Sequence, residues 1–271
     1  MTQQAAQPLM ARVRPWLAAA GAALIVAGLA VEGLARRYVV AESPQFVVFA
    51  MVAPALIVLG APWRLLRLSR GPGEGGRGPG PLDRLAAARR RQASFLRAGA
   101  YLVAFIGVSV AWRLPPVVDA LAAHPVLVLP ELVTLLAAGI GLWLELVSSP
   151  PLAPRLPKPQ RAAVAALAMW SAWAAAYVLG LSNHAVFHHY DPAGGALSAV
   201  ADQEITAALV WAVSACCFIP VVFAALLTWL SGSGDPGEEV QRLARDERQL
   251  PVVRGWGCRE RATAPQRDAD E

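Results

Sequence analysis

Long apolar blocks alternate with shorter polar segments along the chain. Six blocks stand out, at residues 16–35, 46–62, 98–112, 126–147, 162–181 and 205–230. A helix needs roughly 20 residues to cross a bilayer. Because lipid cannot hydrogen-bond to a peptide backbone, each crossing segment has to be helical. The pattern therefore predicts an all-α polytopic membrane bundle of six transmembrane helices over residues 1–231.

Two of the blocks need separate arguments. The third, 98–112, has only 15 residues, but it gains length if Arg97 and Arg113 at its ends extend their side chains toward water. The first follows Arg12 and Arg14, as the apolar part of a signal peptide would. It is long for such a segment, and no small-residue cleavage site follows it. We therefore expect it to remain as the first transmembrane helix.

Composition and charge agree with a membrane protein. Of the 271 residues, 56% are hydrophobic, whereas soluble domains are about 45–50% apolar. All basic residues except Arg36, Arg37 and Arg113 fall in the N-terminal tail, the second and fourth loops and the C-terminal tail. The positive-inside rule then predicts that both termini are cytoplasmic. We expect the net charge of +5 to face anionic headgroups, which implies a lipid bilayer and no nucleic acid as partner.

The polar segments differ in composition. Residues 63–97 form a basic, Gly/Pro-rich loop, and its second half predicts a short interfacial helix capped by Asp83. Residues 148–160 contain five prolines and are predicted to be stiff and extended. The segment 232–271 is rich in Arg, Asp and Glu. It is predicted to be a poorly ordered cytoplasmic tail.

The three cysteines do not suggest a disulfide framework. Cys216 and Cys217 lie in the middle of the sixth block, where neighbouring helical positions point about 100° apart. Two such thiols cannot both face one ligand well, so a role as small hydrophobic residues is favoured over a copper(I) site. Cys258 lies in the predicted cytoplasmic tail and is expected to be reduced.

Several ionisable residues fall within or beside the predicted spans. Charges near a helix centre cost about 2.5–3.5 kcal/mol in a membrane, so they are candidates for function. Six lie toward the outer side: Glu32, Glu42, Arg113, Glu131, Asp202 and Glu204. For Glu32, and for Glu145 near the inner end of the fourth span, a solvated helix end is the favoured interpretation. Asp202 and Glu204 would meet the positive end of the sixth helix dipole.

Four longer motifs carry a resemblance. They are MVAPALIVLGAP (51–62), AWRLPPVVDAL (111–121), HPVLVLPELVTLLAAGIGLW (124–143) and LSAVADQEITAALVW (197–211). In order and spacing they resemble the motifs of the CtaG-type cytochrome c oxidase assembly proteins. The resemblance runs from about residue 16 to 231. It implies a multi-pass protein of the bacterial plasma membrane that works with the oxidase catalytic subunit and is associated with copper insertion.

The chain departs from the family motifs at their histidines. Glu42, Phe46, Arg113 and Leu132 stand where the family has histidine, while Gln45, Glu131, Asp202 and Gln203 keep the family residues. Arginine has no lone pair for a metal, and carboxylate oxygens match copper(I) poorly. We therefore expect Arg113 to pair with Glu42 or Glu131, so that an ion pair replaces a metal site.

The stretch SNHAVFHHYDP (182–192) holds three of the four histidines, His184, His188 and His189. Imidazole is a good copper ligand, so these residues form a candidate relocated metal site, with Asp191 or Asp202 as a further ligand. The alternative is a loop whose aromatic and polar residues line the membrane interface. The sequence leaves both interpretations open.

Three functions therefore remain. The first is an assembly factor for a haem–copper oxidase, with copper delivery as an open part of that role. The second is a copper-independent membrane scaffold that acts through helix packing, since small residues permit close helix approach. The third is a transporter, which lacks support because no inverted repeat is visible. No nucleophile–base set, phosphate loop or dinucleotide motif is present, so we do not expect an enzyme. The oligomeric state is left open.

Overall fold

The computed structural model describes residues 3–31, 33, 39–65, 80–91, 94–187 and 198–232. Within these ranges the regular structure is helical and contains no β-strand, which confirms the predicted all-α class. Glu32, Arg36, Arg37, His188, His189, Asp191 and residues 233–271 lie outside the described residues. The expectations for these residues, including the tail, stay predictions.

Ten α-helices are found in the described ranges. In chain order they are α1 (Gln3–Ala30), α2 (Val39–Val47), α3 (Ala53–Gly60), α4 (Pro62–Leu65), α5 (Pro81–Arg91), α6 (Ser94–Arg113), α7 (Pro115–Ala123), α8 (Val128–Leu146), α9 (Lys158–Gly180) and α10 (Ala199–Gly232). A π-helical turn, Val48–Val52, joins α2 to α3. A 3₁₀ turn, Pro125–Leu127, leads into α8.

Six segments of the described chain are long and apolar enough to cross a membrane, which confirms the predicted number. They are Arg12–Ala30, Ala41–Arg64, Ser94–Arg113, Pro125–Leu146, Lys158–Gly180 and Ala199–Ser231. The third is 20 residues long, about the length that a bilayer requires. Arg97 and Arg113 therefore belong to this span instead of lying beyond its ends. The cytoplasmic location of both termini stays a prediction.

Aromatic side chains fill the centre of the bundle. Trp143 of α8 stacks on Phe218 of α10 with ring centroids 5.3 Å apart, and Phe105 of α6 meets Phe218 edge to face at 6.1 Å. All three rings are buried. Offset stacked and edge-to-face pairs are the favoured aromatic geometries. These three residues therefore tie together helices that are far apart in the sequence.

The second span contains a π-helical turn where a proline interrupts its hydrogen bonds. Pro54 has no N–H, so the carbonyl of Ala50 loses its partner four residues on, and the chain widens into the π-helical turn. Gly139 of α8 packs directly against this turn. A Cβ at position 139 would lie 2.6 Å from the Pro54 Cγ, closer than real Cβ contacts. The π-helical turn with Pro54 and the glycine therefore form one close contact between the second and fourth spans.

The segments between spans are partly ordered by polar contacts. The predicted interfacial helix is observed as α5, and its Asp83 Oδ2 accepts a hydrogen bond of 3.0 Å from the Gly80 N–H at the helix start. The proline-rich segment is not extended throughout as predicted. It turns at Ser149–Leu152, where the Leu152 N–H donates to the Ser149 carbonyl at 2.7 Å. The Trp63 indole donates to the Pro150 carbonyl at 2.9 Å and holds this turn against α4.

Candidate functional site

Arg113 is the last residue of α6, and the sequence that follows it explains why the helix ends there. Leu114 precedes Pro115, and a residue before proline is driven out of the helical region; Leu114 is accordingly extended, with φ −64° and ψ 132°. A cation is stabilised at a helix C-terminus by the helix dipole. The Arg113 side chain nevertheless turns into the bundle, and the residue is only 9% exposed.

Arg113 forms an ion pair with Glu42. The Arg113 Nη1 donates to the Glu42 Oε2 at 2.6 Å, and both side chains are buried. Glu42 lies in the first turn of α2, where the helix dipole favours a negative charge. Of the two partners that the sequence allowed, the structure selects Glu42. The charge pair thus joins the C-terminus of α6 to the N-terminus of α2.

Phe46 completes the surroundings of this guanidinium. The Arg113 Cζ lies 4.0 Å from the centre of the Phe46 ring, which is a close cation–π contact. Positions 42, 46 and 113, three of the motif positions where histidine is missing, are therefore adjacent in space. The fourth, Leu132, is buried in the apolar core. An arginine, a phenylalanine and a leucine offer no metal lone pair, so these residues do not fit a copper ion.

Polar atoms of Arg113 and Ser109 are buried beside a small cavity. The Arg113 Nε and Nη2 and the Ser109 Oγ are buried, and none has a hydrogen-bond partner within the described part of the chain. Both residues line a cavity of about 30 Å³ between α2, α6, α9 and α10. One water needs roughly 10–15 Å³ of such space. By volume the cavity has room for about two waters, but the three buried polar atoms are themselves not exposed to it.

Two glutamines brace the helices around this ion pair. The Gln203 Nε2 donates to the Leu179 carbonyl at 2.7 Å, while its Oε1 accepts from the Val186 N–H at 2.9 Å. Gln203 therefore fixes the end of α9 and the following segment to α10. The Gln45 Nε2 donates to the Gly28 carbonyl at 3.1 Å and fixes α2 to α1. Both amides satisfy backbone carbonyls near helix ends, where such groups lack helical partners.

The remaining acidic motif residues are also buried, and each takes part in an interaction. Glu131 is 4% exposed in the first turn of α8, and Asp202 is 6% exposed in the first turn of α10. Ser198 precedes α10, and its Oγ accepts from the Ala201 N–H at 3.2 Å as a helix cap. The sequence analysis missed this cap, although serine before an acidic first turn is a recognised signal.

The histidine cluster is only partly within the described residues. His184 is exposed and follows the end of α9 at Gly180, so it is not on that helix. Among the described ranges, no group of three or more His, Cys, Asp or Glu residues is arranged to hold a metal ion. Because His188 and His189 are outside those ranges, the relocated copper site stays a prediction.

A second buried charge cluster lies at the opposite end of α6. Glu145 of α8 accepts from the Arg97 Nε at 2.7 Å and Nη2 at 2.9 Å, and from the Arg89 Nη2 at 2.5 Å. Glu145 is 0% exposed, so the expectation of a solvated helix end was wrong. The carboxylate is held inside because two arginines from α5 and α6 compensate its charge, as buried charges require.

Further contacts order the two arginines of this second cluster. The Arg97 Nη1 donates to the Arg89 carbonyl, and the Arg89 guanidinium lies 5.9 Å from the centre of the Tyr101 ring. Burial lowers the pKa of Arg89 from its ordinary value, while the Glu145 charge acts in the opposite direction. Arginine keeps its proton at neutral pH even so. The cluster therefore carries two positive charges and one negative charge.

Comparison with known proteins agrees with this geometry. A family model described as cytochrome c oxidase caa3 assembly factor (Caa3_CtaG) matches residues 2–232. The chain belongs to this family. The match spans all six membrane-crossing segments, including both charge clusters. Neither the comparison with curated proteins nor that with solved structures gave a match.

Membership of the caa3 assembly factor family supports the expected class of protein. The chain is a multi-helix membrane protein linked to oxidase assembly. Within the described residues, the matched region contains the buried Arg113–Glu42 ion pair.

Proposed function

We propose that this member of the caa3 assembly factor family assists the assembly of a haem–copper oxidase by binding its catalytic subunit within the bacterial plasma membrane. The observation that carries the proposal is the family match over residues 2–232, which includes the whole bundle. The family is described by assembly, and each buried charge cluster joins separate helices of this chain. The role is therefore one of binding and positioning.

The exposed face of α6 supports a helix–helix contact with the oxidase subunit. Ala100, Ala104, Gly107 and Ala111 are all exposed and lie on one stripe of the helix. A Cβ added at Gly107 would meet no atom within 4 Å, so this backbone is open to a neighbour. Stripes of small residues let transmembrane helices approach closely.

The experiment replaces Gly107 with leucine in a host that makes a haem–copper oxidase and depends on this chain. Oxidase activity and co-purification of the catalytic subunit are measured. We expect Gly107→Leu to lower both without changing the amount of the chain, because the new side chain would separate the two helices. Gly99→Leu, the same change at another glycine of α6 that meets no atom within 4 Å and lies about 80° from Gly107 around the helix, is the matched control. Equal results for the two variants would contradict the proposed contact.

Copper delivery is a second candidate function, and one observation favours testing it. His184 follows the end of α9 by a few residues, and Leu179 at that end lines the same cavity as Arg113. The helix end from which this segment starts is thus near the motif positions that carry no usable ligand. The test is titration of the purified chain with copper(I) against a competing chelator, comparing the wild type with a His184/His188/His189→Ala variant. Tight binding that is lost in the variant supports delivery; unchanged binding contradicts this site.

A further inference from the structure

A pocket beside the Glu145 cluster has the properties of an anion site. Its volume is about 230 Å³, more than ten times the roughly 10–15 Å³ that one water needs. Three arginines line it, Arg89 from α5, Arg97 from α6 and Arg155 from the proline-rich segment. With Glu145 as the neighbouring carboxylate, this group of four residues has two positive charges in excess.

Arg89 keeps hydrogen-bond donors for a ligand. Within the described part of the chain, Arg89 bonds to protein acceptors only through Nη2, which reaches Glu145 and the Leu144 carbonyl. Its Nε and Nη1 are not among the buried atoms that lack partners. They are therefore open to the pocket that Arg89 lines. Arg155 is an exposed residue at the mouth of the same pocket. Guanidinium groups bind phosphate through charge-assisted hydrogen bonds.

The depth of the pocket identifies the kind of phosphate. Arg97 lies in the first turn of the span Ser94–Arg113, and Glu145 lies in the last turn of the span Pro125–Leu146. The pocket is therefore at the level where two transmembrane helices end, and this is the level of lipid headgroups. Phe95 and Leu96, next to Arg97 in the chain, are exposed on α6, where acyl chains would lie.

We propose that the pocket formed by Arg89, Arg97 and Arg155 binds the phosphate of an anionic phospholipid. Basic pockets between membrane helices are suited to such headgroups. The bound lipid would fasten the proline-rich segment and α5 to the ends of α6 and α8. This proposal concerns the opposite end of α6 from the Arg113–Glu42 pair and does not depend on the role in oxidase assembly.

The test uses the full chain, purified in a neutral detergent and titrated with phosphatidylglycerol or phosphatidylcholine, with bound lipid counted by native mass spectrometry. We expect saturable binding of phosphatidylglycerol only. Arg155→Ala should weaken it about fivefold, as expected for one basic residue near an anionic headgroup. Arg155→Lys, which keeps the charge, should stay closer to the wild type. Arg84→Ala removes an exposed arginine of α5 outside the pocket and should have little effect.

Three outcomes would overturn the proposal. Equal weakening by Arg84→Ala and Arg155→Ala would show general surface attraction instead of a site. Equal binding of both lipids would remove the role of the anionic charge. Inorganic phosphate that displaces phosphatidylglycerol at matched ionic strength, and binds as tightly, would assign the pocket to a soluble anion. If Arg155→Ala lost helical circular dichroism, Arg155→Gln would replace it in the same titration, with the same expected result.

Discussion

The two buried charge clusters of this bundle differ in how completely their charged groups are hydrogen-bonded. Arg113 contacts Glu42 through one nitrogen, and its other two nitrogens are buried without a hydrogen-bond partner in the described part of the chain. Glu145 receives three hydrogen bonds from Arg89 and Arg97, using both carboxylate oxygens. A buried ion pair stabilises only when its remaining donors and acceptors are also satisfied. The Glu145 cluster therefore holds the fold more firmly, while the Arg113 pair leaves two buried nitrogens without a partner in the described part of the chain.

The largest expected effect comes from removing the Glu145 charge. Glu145→Gln leaves two buried arginines without a counter-charge, and breaking such a pair costs about 3–5 kcal/mol. We expect a large drop in the thermal unfolding midpoint in detergent. Glu204→Gln, an exposed change on α10, is the control. A midpoint equal to that of the control would mean that the Glu145 cluster does not stabilise the bundle.

A smaller loss of stability is expected when the Arg113–Glu42 pair is changed. Glu42→Gln leaves an amide oxygen to accept from Arg113, and Phe46 still faces the guanidinium, so about 2 kcal/mol is expected. Replacing both partners, as in Glu42→Leu with Arg113→Met, should recover most of this loss because no charge remains buried. The same unfolding measurement tests both variants. A double variant less stable than Glu42→Gln would contradict the account.

Lysine substitutions distinguish the geometry of the two arginines. Arg97 bonds to both Glu145 oxygens through Nε and Nη2, an arrangement that an ammonium group cannot reproduce. Arg113 uses Nη1 alone, which lysine can imitate. Arg97→Lys should therefore destabilise the chain by about 1–2 kcal/mol more than Arg113→Lys. Equal midpoints for the two variants would argue against this difference in hydrogen bonding.

The smallest difference in stability is expected between alanine substitutions at Ser149 and Ser109. Ser149 Oγ donates to the Val58 carbonyl near the proline-rich segment, so Ser149→Ala should cost about 1 kcal/mol. The Ser109 Oγ has no partner in the described part of the chain, so Ser109→Ala should change the unfolding free energy by less than about 0.5 kcal/mol. A substantial loss at Ser109 would show that it holds an ordered water in the cavity beside Arg113.

The sequence predicted the membrane fold and one of the two clusters. The apolar blocks are long enough to specify six spans, because the bilayer sets their length. The Arg113–Glu42 pair could be anticipated because both residues occupy motif positions at the same predicted level of the membrane. The choice of Glu42 over Glu131 could not, since it depends on how α2 and α8 pack against α6.

The Glu145 cluster was not predicted from the sequence for a related reason. Arg89 lies in a loop and Glu145 near a helix end, so each alone is typical of a solvated charge. Only the packing of α5 against α6 and α8 brings them together. One signal was available: Arg97 and Glu145 are opposite charges at the same predicted level of two spans. The π-helical turn was not predicted either, although a proline within a helical span, here Pro54, indicates a local irregularity of the helix.

The contact between Pro54 and Gly139 has a consequence for how this chain can change in evolution. The proline ring and the backbone carbonyl oxygen of Ala50 both occupy the space that any side chain at position 139 would need. A substitution at Gly139 therefore meets a steric barrier, and the loss of the ring at position 54 would remove only part of it because the Ala50 carbonyl stays. We expect glycine to be retained at position 139 among relatives, including those with a residue other than proline at position 54. The close approach of the two spans thus depends on one residue that has no side chain.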